Sequence, residues 1–312
     1  MDLIEHMLSS GRLALDLALY VMLPITVIMG SIMMVFDHRG VLKWLSDLLT
    51  PISNLFGASG LSLIALSKML FVSSIAPLPT LNKLDTQERD NRKLAASLAL
   101  VLTATQGNVS FPMIAYGLDF GVLLASSIIG GVLASAITYY LFAAKLSSDF
   151  QKNTHDCSMS ISRPRKTIVQ SLSEGGMEGM KIAVNMIPML TVTLFLLAVL
   201  KELNAIQWLT ECLSPAFSAI GLPSSAALPV ITKYIAGGTA YMGVMIDQIE
   251  QGSMTVRDIN IIAGLASNPV DLVGVAVFLA IGPRIGKIFR YAIMGALIGL
   301  IARALIHIYW FS

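Results

Sequence analysis

The chain has 312 residues, 55% of them hydrophobic and only 13% charged, with a net charge of +2 at neutral pH. Its mean hydropathy of +0.75 lies far outside the range of soluble domains, where about a quarter of residues are charged. The sequence therefore describes an integral membrane protein with lipid around it and no nucleic-acid partner, and about 20 apolar residues per span leave room for roughly eight to ten membrane-crossing or membrane-entering segments.

The first apolar run, Leu13 to Phe36, is too long for a signal-peptide core, has no small-residue cleavage site and follows the acidic leader Met1-Asp2-Leu3-Ile4-Glu5-His6. It reads as a retained span kinked at Pro24. Beyond it Val41, Leu42, Trp44, Leu45, Leu48 and Leu49 recur at helical spacing against Arg39, Lys43 and Asp47. That is the pattern of a helix lying in the interface, with Trp44 at headgroup level and Pro51 ending it. Gly57 to Leu81 is apolar but broken at Ser73-Ser74 and Pro77-Leu78-Pro79. A re-entrant hairpin of two half-helices fits this break better than one kinked crossing. Asp85 and Glu88 are spaced like an N-cap and its N3 acid, and the helix expected after them meets Gln106-Gly107-Asn108-Val109-Ser110-Phe111-Pro112. Glycine and proline around an asparagine predict an unwound point there. The span Gly121–Lys145 closes this half, and the basic segment 147–176, with Arg163, Arg165 and Lys166, reads as a linker.

The pattern then returns. Trp44-Leu45-Ser46-Asp47-Leu48-Leu49-Thr50-Pro51 reappears as Trp208-Leu209-Thr210-Glu211-Cys212-Leu213-Ser214-Pro215, at an offset of 164 residues that also pairs Pro24 with Pro188, Gly57 with Gly221 and Ser73-Ser74-Ile75 with Gly237-Gly238-Thr239. The second half should thus hold a span from about Ile182 to Leu200, an interfacial helix around Trp208, a hairpin from Gly221 to about Ile249, a helix from Arg257 broken at Ser267-Asn268-Pro269-Val270-Asp271, and a last span Ile288–Trp310. Residues 1–146 and 177–312 form the two repeats.

If each hairpin returns to its side of entry, each half crosses three times and the second half is inverted relative to the first. Arg39, Lys43, Lys83, Arg89, Arg92, Lys93, Lys145, Lys152, Arg163, Arg165, Lys166, Lys181, Arg284, Lys287 and Arg290 then share one side, with little beyond Arg12, Lys201 and Arg257 on the other. The positive-inside rule makes the crowded side cytoplasmic and puts both termini outside, in a multi-pass protein of the inner membrane. The fold class is an all-α membrane protein of two inverted repeats, each built of a span, an interfacial helix, a re-entrant hairpin, an interrupted span and a further span.

In such architectures half-helix ends converge on a solute near the midplane. The converging set would be Ser73, Ser74, Gly237, Gly238 and Thr239 from the tips, with Thr105, Gln106, Asn108, Ser110, Ser267 and Asn268 from the breaks, Asn108 and Asn268 reading as counterparts. The same side chains could instead only close free backbone groups at the breaks. Asp271, an acid inside an apolar stretch, reads as a coupling residue for H+ or Na+ or as half of a buried structural pair. Lys68 and Lys233, each about five residues before a tip, either meet an anionic group, compensate a helix C-terminus or snorkel. Arg303 and His307, near Tyr309 and Trp310, read as interfacial anchors. Cys157 and Cys212 lack ligand spacing and the 17 methionines read as packing. No catalytic pattern or phosphate loop stands out, so neither an enzyme, a resident cofactor nor a metal site is expected.

The two Trp-Leu-[Ser/Thr]-[Asp/Glu]-x-Leu-[Thr/Ser]-Pro segments, the hairpins ending at Ser73-Ser74 and Gly237-Gly238-Thr239, and the Gly107-Asn108 and Asn268-Pro269 breaks resemble the nucleoside-recognition, or Gate, domain family over nearly the whole chain. Related Gate pairs form the membrane part of ferrous-iron transporter B and are similar to the core of concentrative nucleoside transporters; some stand-alone pairs are linked to sporulation. This sequence departs from the iron transporter in lacking a GxxxxGK[ST] loop, and from the nucleoside transporters in lacking extra scaffold spans and acidic residues near the hairpin tips. The resemblance implies a secondary transporter for a small polar solute, an anionic one being an option. A non-transporting scaffold or regulatory protein and a metal-ion permease are the alternatives. A core without scaffold helices needs bracing, which points to a homo-oligomer, a dimer being the simplest.

Overall fold

The computed structural model describes residues 3–146 and 167–312; Lys152, Cys157, Arg163, Arg165 and Lys166 lie outside them. Among the described residues the helices fall into two sets of seven. The first comprises α1 (Leu3–His38), α2 (Val41–Leu55), α3 (Gly60–Phe71), α4 (Leu78–Gln87), α5 (Asn91–Thr103), α6 (Gly107–Ile114) and α7 (Phe120–Phe142). The second comprises α8 (Ile168–Glu202), α9 (Ala205–Ala219), α10 (Ala227–Ala236), α11 (Gly238–Glu250), α12 (Val256–Ala266), α13 (Leu272–Leu279) and α14 (Pro283–Phe311).

Turn chemistry repeats with the elements. Gly40, with φ of 75°, turns α1 into α2, and Asn204, 164 residues later with φ of 55°, turns α8 into α9. The left-handed region admits asparagine more readily than most residues. Gly57 and Gly221, with φ of 77° and 79°, redirect the chain from α2 and α9 into the hairpins.

Prolines act differently from expectation. Pro51 and Pro215 lie inside α2 and α9, which run on to Leu55 and Ala219, so proline does not end the interfacial helices. Pro24 follows a π-helical turn, Leu17–Met22, whose wider spacing relieves the missing N–H bond. Trp44 and Trp208 are 65% and 64% exposed, as headgroup anchors require. Two boundaries also move. Residues 168–176, assigned to the linker from composition, already belong to α8. The helix after the first hairpin is capped by Asp90, whose carboxylate accepts from Arg92 N at 2.8 Å, rather than by Asp85.

The hairpins do return. α3 has 12 residues and spans about 18 Å at 1.5 Å per residue, against a hydrocarbon core of about 30 Å. Contacts between helix ends sort the molecule into two poles. His6 meets Glu202 (3.4 Å), Tyr116 meets Glu250 (3.4 Å) and Arg257 meets Phe311 O (2.7 Å) at one pole. His38 meets Ser171 (2.8 Å), Arg92 meets Tyr139 O (3.1 Å) and Arg284 meets Asn91 (2.8 Å) at the other. The two ends of α3–α4 thus share one pole and those of α10–α11 share the opposite one, which makes the repeats inverted.

Repeat-related spans cross each other at small residues. α1 and α8 meet at Gly30 and Gly175, where a Cβ on Gly30 would lie 2.7 Å from Gly175 O. α7 and α14 meet at Gly130, Ala134, Gly295 and Gly299, where a Cβ on Gly130 would lie 2.7 Å from Gly299 O. Membrane helices gain little from apolar burial against one another, so close backbone approach carries the packing. α5 and α6, whose hydropathy suits a span, are buried within the protein from Leu94 to Ser110 and form its centre.

Candidate functional site

Four chain ends converge at this centre. The break between α5 and α6 and the break between α12 and α13 face each other, and both hairpin tips close on the first. A Cβ on Gly107 would lie 2.8 Å from Leu70 O and Val72 N of the first tip; one on Gly238, at the second tip, would lie 2.5 Å from Gln106 Oε1. Backbone faces Gly107, so only glycine permits the first approach, whereas the second meets the end of the Gln106 side chain.

A hydroxyl and amide network joins the breaks. Thr105 Oγ1 lies 2.6 Å from both Ser110 Oγ and Ser267 Oγ. Gln106 Nε2 donates to Asn268 O at 2.7 Å, and Thr105 N donates to Ser127 Oγ of α7 at 3.3 Å. The Asn268 side chain folds back on its own break, donating to Leu265 O and accepting from Val270 N.

Charges sit where the helix ends call for them. Asp271 caps α13, Oδ1 accepting from Gly274 N at 2.7 Å, while its Oδ2 pairs with Lys233 Nζ from the last turn of α10. Lys233 and Asp271 side chains are 0% and 4% exposed, so hairpin and break are tied by an ion pair shielded from water. Arg303 of α14 is wholly buried and donates to Thr103 O at 2.5 Å and Ser267 O at 3.1 Å, the carbonyls that end α5 and α12. A guanidinium there meets the negative ends of two helix dipoles. One turn on, His307 lies between Ser126 Oγ (2.9 Å) and Asn260 O (2.6 Å).

The expected site is thereby divided. Thr105, Gln106, Ser110, Gly238, Ser267, Asn268, Asp271 and Lys233 come together, with Gly237 beside the Asp271 carboxylate and Thr239 in the first turn of α11. Asn108 sits in the first turn of α6, not in the break, so it is not the counterpart of Asn268; Gln106 and Asp271, the N-cap positions of α6 and α13, correspond instead. Its Oδ1 is buried without a hydrogen-bond partner. In the first tip Ser73 accepts from Ala76 N at 3.4 Å. Lys68 pairs with Asp37 of α1 at 3.3 Å, beside a cavity of about 50 Å³ shared with Gly30 and Glu178.

The interfacial-anchor reading of Arg303 and His307 is overturned by their complete burial. A signal was available: Ala292, Ala296, Gly299, Arg303 and His307 recur at helical spacing, and the small residues mark that stripe as the packed face. Ser127 and Asn260 were missed too. Asn260 Oδ1 accepts from Asp119 N at 2.7 Å and its amide donates to Gly117 O, stitching the loop before α7 to α12. Among the described residues no group of three His, Cys, Asp or Glu could hold a metal ion.

Known proteins resemble the chain at two levels. No family profile matches it. Spore maturation protein B of Bacillus subtilis (strain 168) is 30% identical over 141 residues, which are 44% of this chain and 78% of that protein. The chain belongs to the spore maturation protein B family. The membrane protein YvoD of the same organism is 23% identical over 251 residues, covering 77% of this chain and 74% of YvoD. Among solved structures, CNTnw in an outward-facing state aligns with a TM-score of 0.68 at 17% identity, over 93% of this chain and 74% of CNTnw. An intermediate state of CNTnw gives 0.70 and an inward-facing, substrate-bound state 0.67, at 17% and 18% identity and over 92% of this chain and 74% and 73% of CNTnw. The fold is that of CNTnw.

Proposed function

We propose that this member of the spore maturation protein B family is a secondary transporter of the inner membrane, not an enzyme, and that it moves a small polar solute by alternating access. It is read as a Gate-type pair with both termini outside the cytoplasm. One observation carries the reading: the first turn of α6 lies at the centre with no side-chain cap, next to the unpartnered Oδ1 of Asn108. An open helix N-terminus offers N–H donors to an anionic or carbonyl oxygen, and Asn108 offers an acceptor to an N–H or O–H. A solute bearing both kinds of group satisfies both. The resemblance to CNTnw in outward-facing, intermediate and inward-facing states supports hairpins that move.

In the form described, the tips seat against Gly107 and Gln106 and the centre is closed. Solute entry requires one tip to withdraw, and the second cannot do so without breaking Lys233–Asp271. Release of the Lys233–Asp271 pair is read as the coupling step, with H+ or Na+ as the coupling cation. The self-satisfied Thr105–Ser110–Ser267 cluster favours a second reading, a non-transporting membrane scaffold whose centre never opens.

The test is a panel of small polar solutes, nucleosides and anionic metabolites included, added to purified protein while its melting temperature is followed. Solutes that raise it are then measured for uptake into proteoliposomes. The transporter reading expects at least one solute that stabilises and is taken up, with both effects lost in Asn108→Ala and Gln106→Ala. Hits that ignore both substitutions, or no uptake of any hit, would leave the scaffold reading standing.

A further inference from the structure

Two cavities outside the centre share a wall residue, Ser46 of α2. The first, about 290 Å³, lies among Leu63, Leu66 and Leu70 of α3, Leu100 of α5 and Leu124 and Ile128 of α7. Its hydroxyls are spent on the protein: Ser46 donates to Gly60 O, Ser53 to Thr50 O and Ser135 to Phe56 O. The second, about 470 Å³, lies nearer the pole and has a charged rim, made by Asp47 of α2, Lys83 of α4 and Glu88 just past the end of α4.

We infer that these two adjacent cavities form a binding site for one amine-bearing glycerophospholipid, with one of its two acyl chains in the apolar cavity, the other in the surrounding bilayer, and its headgroup in the cavity with the charged rim. Water does not fill the apolar part, because a void lined by Leu and Ile with no free polar group stays dry. Its wall residue Ile128, 45% exposed on a spanning helix, opens it to the hydrocarbon region, where acyl chains are the available filler. The charged rim stands at headgroup level, since α2 is the helix whose Trp44 faces out and Lys83 is exposed. Its charges select the headgroup. Lys83 matches a phosphate, while Asp47 and Glu88 match an ammonium and disfavour a headgroup with a net negative charge. A phosphatidylethanolamine meets all three; a phosphatidylglycerol meets one.

The site sits behind the first hairpin, where a bound chain would brace α3 against α7, and it rests on membrane embedding alone, independent of transport. Delipidated full-length protein mixed with equal amounts of phosphatidylethanolamine and phosphatidylglycerol of the same chains, then weighed by native mass spectrometry, tests it. One retained phosphatidylethanolamine per chain is expected. Ser67→Phe, which fills the apolar cavity, should cut retention about tenfold; Asp47→Asn with Glu88→Gln should erase the headgroup preference; Ile129→Phe, on the outer face, should do neither. Equal retention of the two lipids, retention indifferent to Ser67→Phe, or a second copy of the chain in place of lipid would overturn the proposal. Should Ser67→Phe fail to fold, wild-type protein labelled by a phosphatidylethanolamine with a photoreactive acyl chain decides. Labels within 63–71 and 124–132 support the site, and labels elsewhere refute it.

Discussion

Asp271→Asn removes one charge from the buried pair and almost nothing else. Asparagine keeps an oxygen where Oδ1 accepts from Gly274 N, and the two residues serve about equally as N-caps. What changes is Lys233, whose side chain is 0% exposed and which loses its only ion-pair partner among the described residues. Breaking one side of a buried pair costs about 3–5 kcal/mol, because the survivor is left charged without water. Lys233→Met should cost less, since Asp271 retains the α13 N-terminus as a counter-dipole. The double variant, Lys233→Met with Asp271→Asn, leaves no buried charge, and its loss should fall well below the sum of the two, a coupling of about 2–3 kcal/mol. Denaturant titration of the purified protein, followed by tryptophan fluorescence, measures all three. Single losses below about 1 kcal/mol, or losses that simply add, would refute the claim that Lys233 and Asp271 hold the second hairpin to the break.

Other consequences can be checked with less effort. A leucine at Gly299 would push its side chain into Gly130 and Ala134 of α7 and separate α7 from α14, so Gly299→Leu should lower the melting temperature by several degrees while Gly286→Leu, in open space, should not. Gly238→Ala sets a methyl 2.5 Å from Gln106 Oε1 and should unseat the second tip, raising alkylation of a cysteine placed at Thr239. Asp85 supplies a pH effect. Burial raises its carboxyl above the usual range, and the Arg284 guanidinium 3.9 Å away only partly counters this. A raised folded-state value means the charged form costs stability, a cost that is absent below the unfolded value near 3.8 and grows as pH rises through the folded one. Asp85→Asn should therefore stabilise the protein at pH 7 and make no difference near pH 3.5, as melting curves at the two values would show.

Much of the architecture is legible in the sequence because it is written twice. The offset fixed by Trp44 and Trp208 aligned the hairpin tips and the paired turns, and the charge distribution foretold the inversion that the end-to-end contacts display. Boundaries failed where composition and helix geometry part. Residues 168–176 mix polar residues and glycines with Ile168, Val169 and Leu172 yet are helical, since a helix can run beyond the apolar layer, and Pro51 continues α2 because a surface helix tolerates the lost bond. The site was half readable. Residue types named Thr105, Gln106, Ser267, Asn268 and Asp271, but pairing is a property of three dimensions. Nothing in the chain says that Lys233 reaches Asp271 while Lys68 reaches Asp37, and the two asparagines that look equivalent differ because the second break is longer than the first.

Whether the centre opens is best decided by alkylation of single cysteines at Thr105 and Ser110, both buried in the closed form. The background replaces Cys157 and Cys212 with serine, and labelling uses membrane-impermeant reagents on right-side-out and inverted vesicles. Alternating access predicts that each cysteine is labelled from both sides, and that a stabilising solute slows labelling from both. Cysteines that stay unlabelled from either side, in protein that otherwise melts like the parent, would contradict a transporter and leave a closed membrane scaffold.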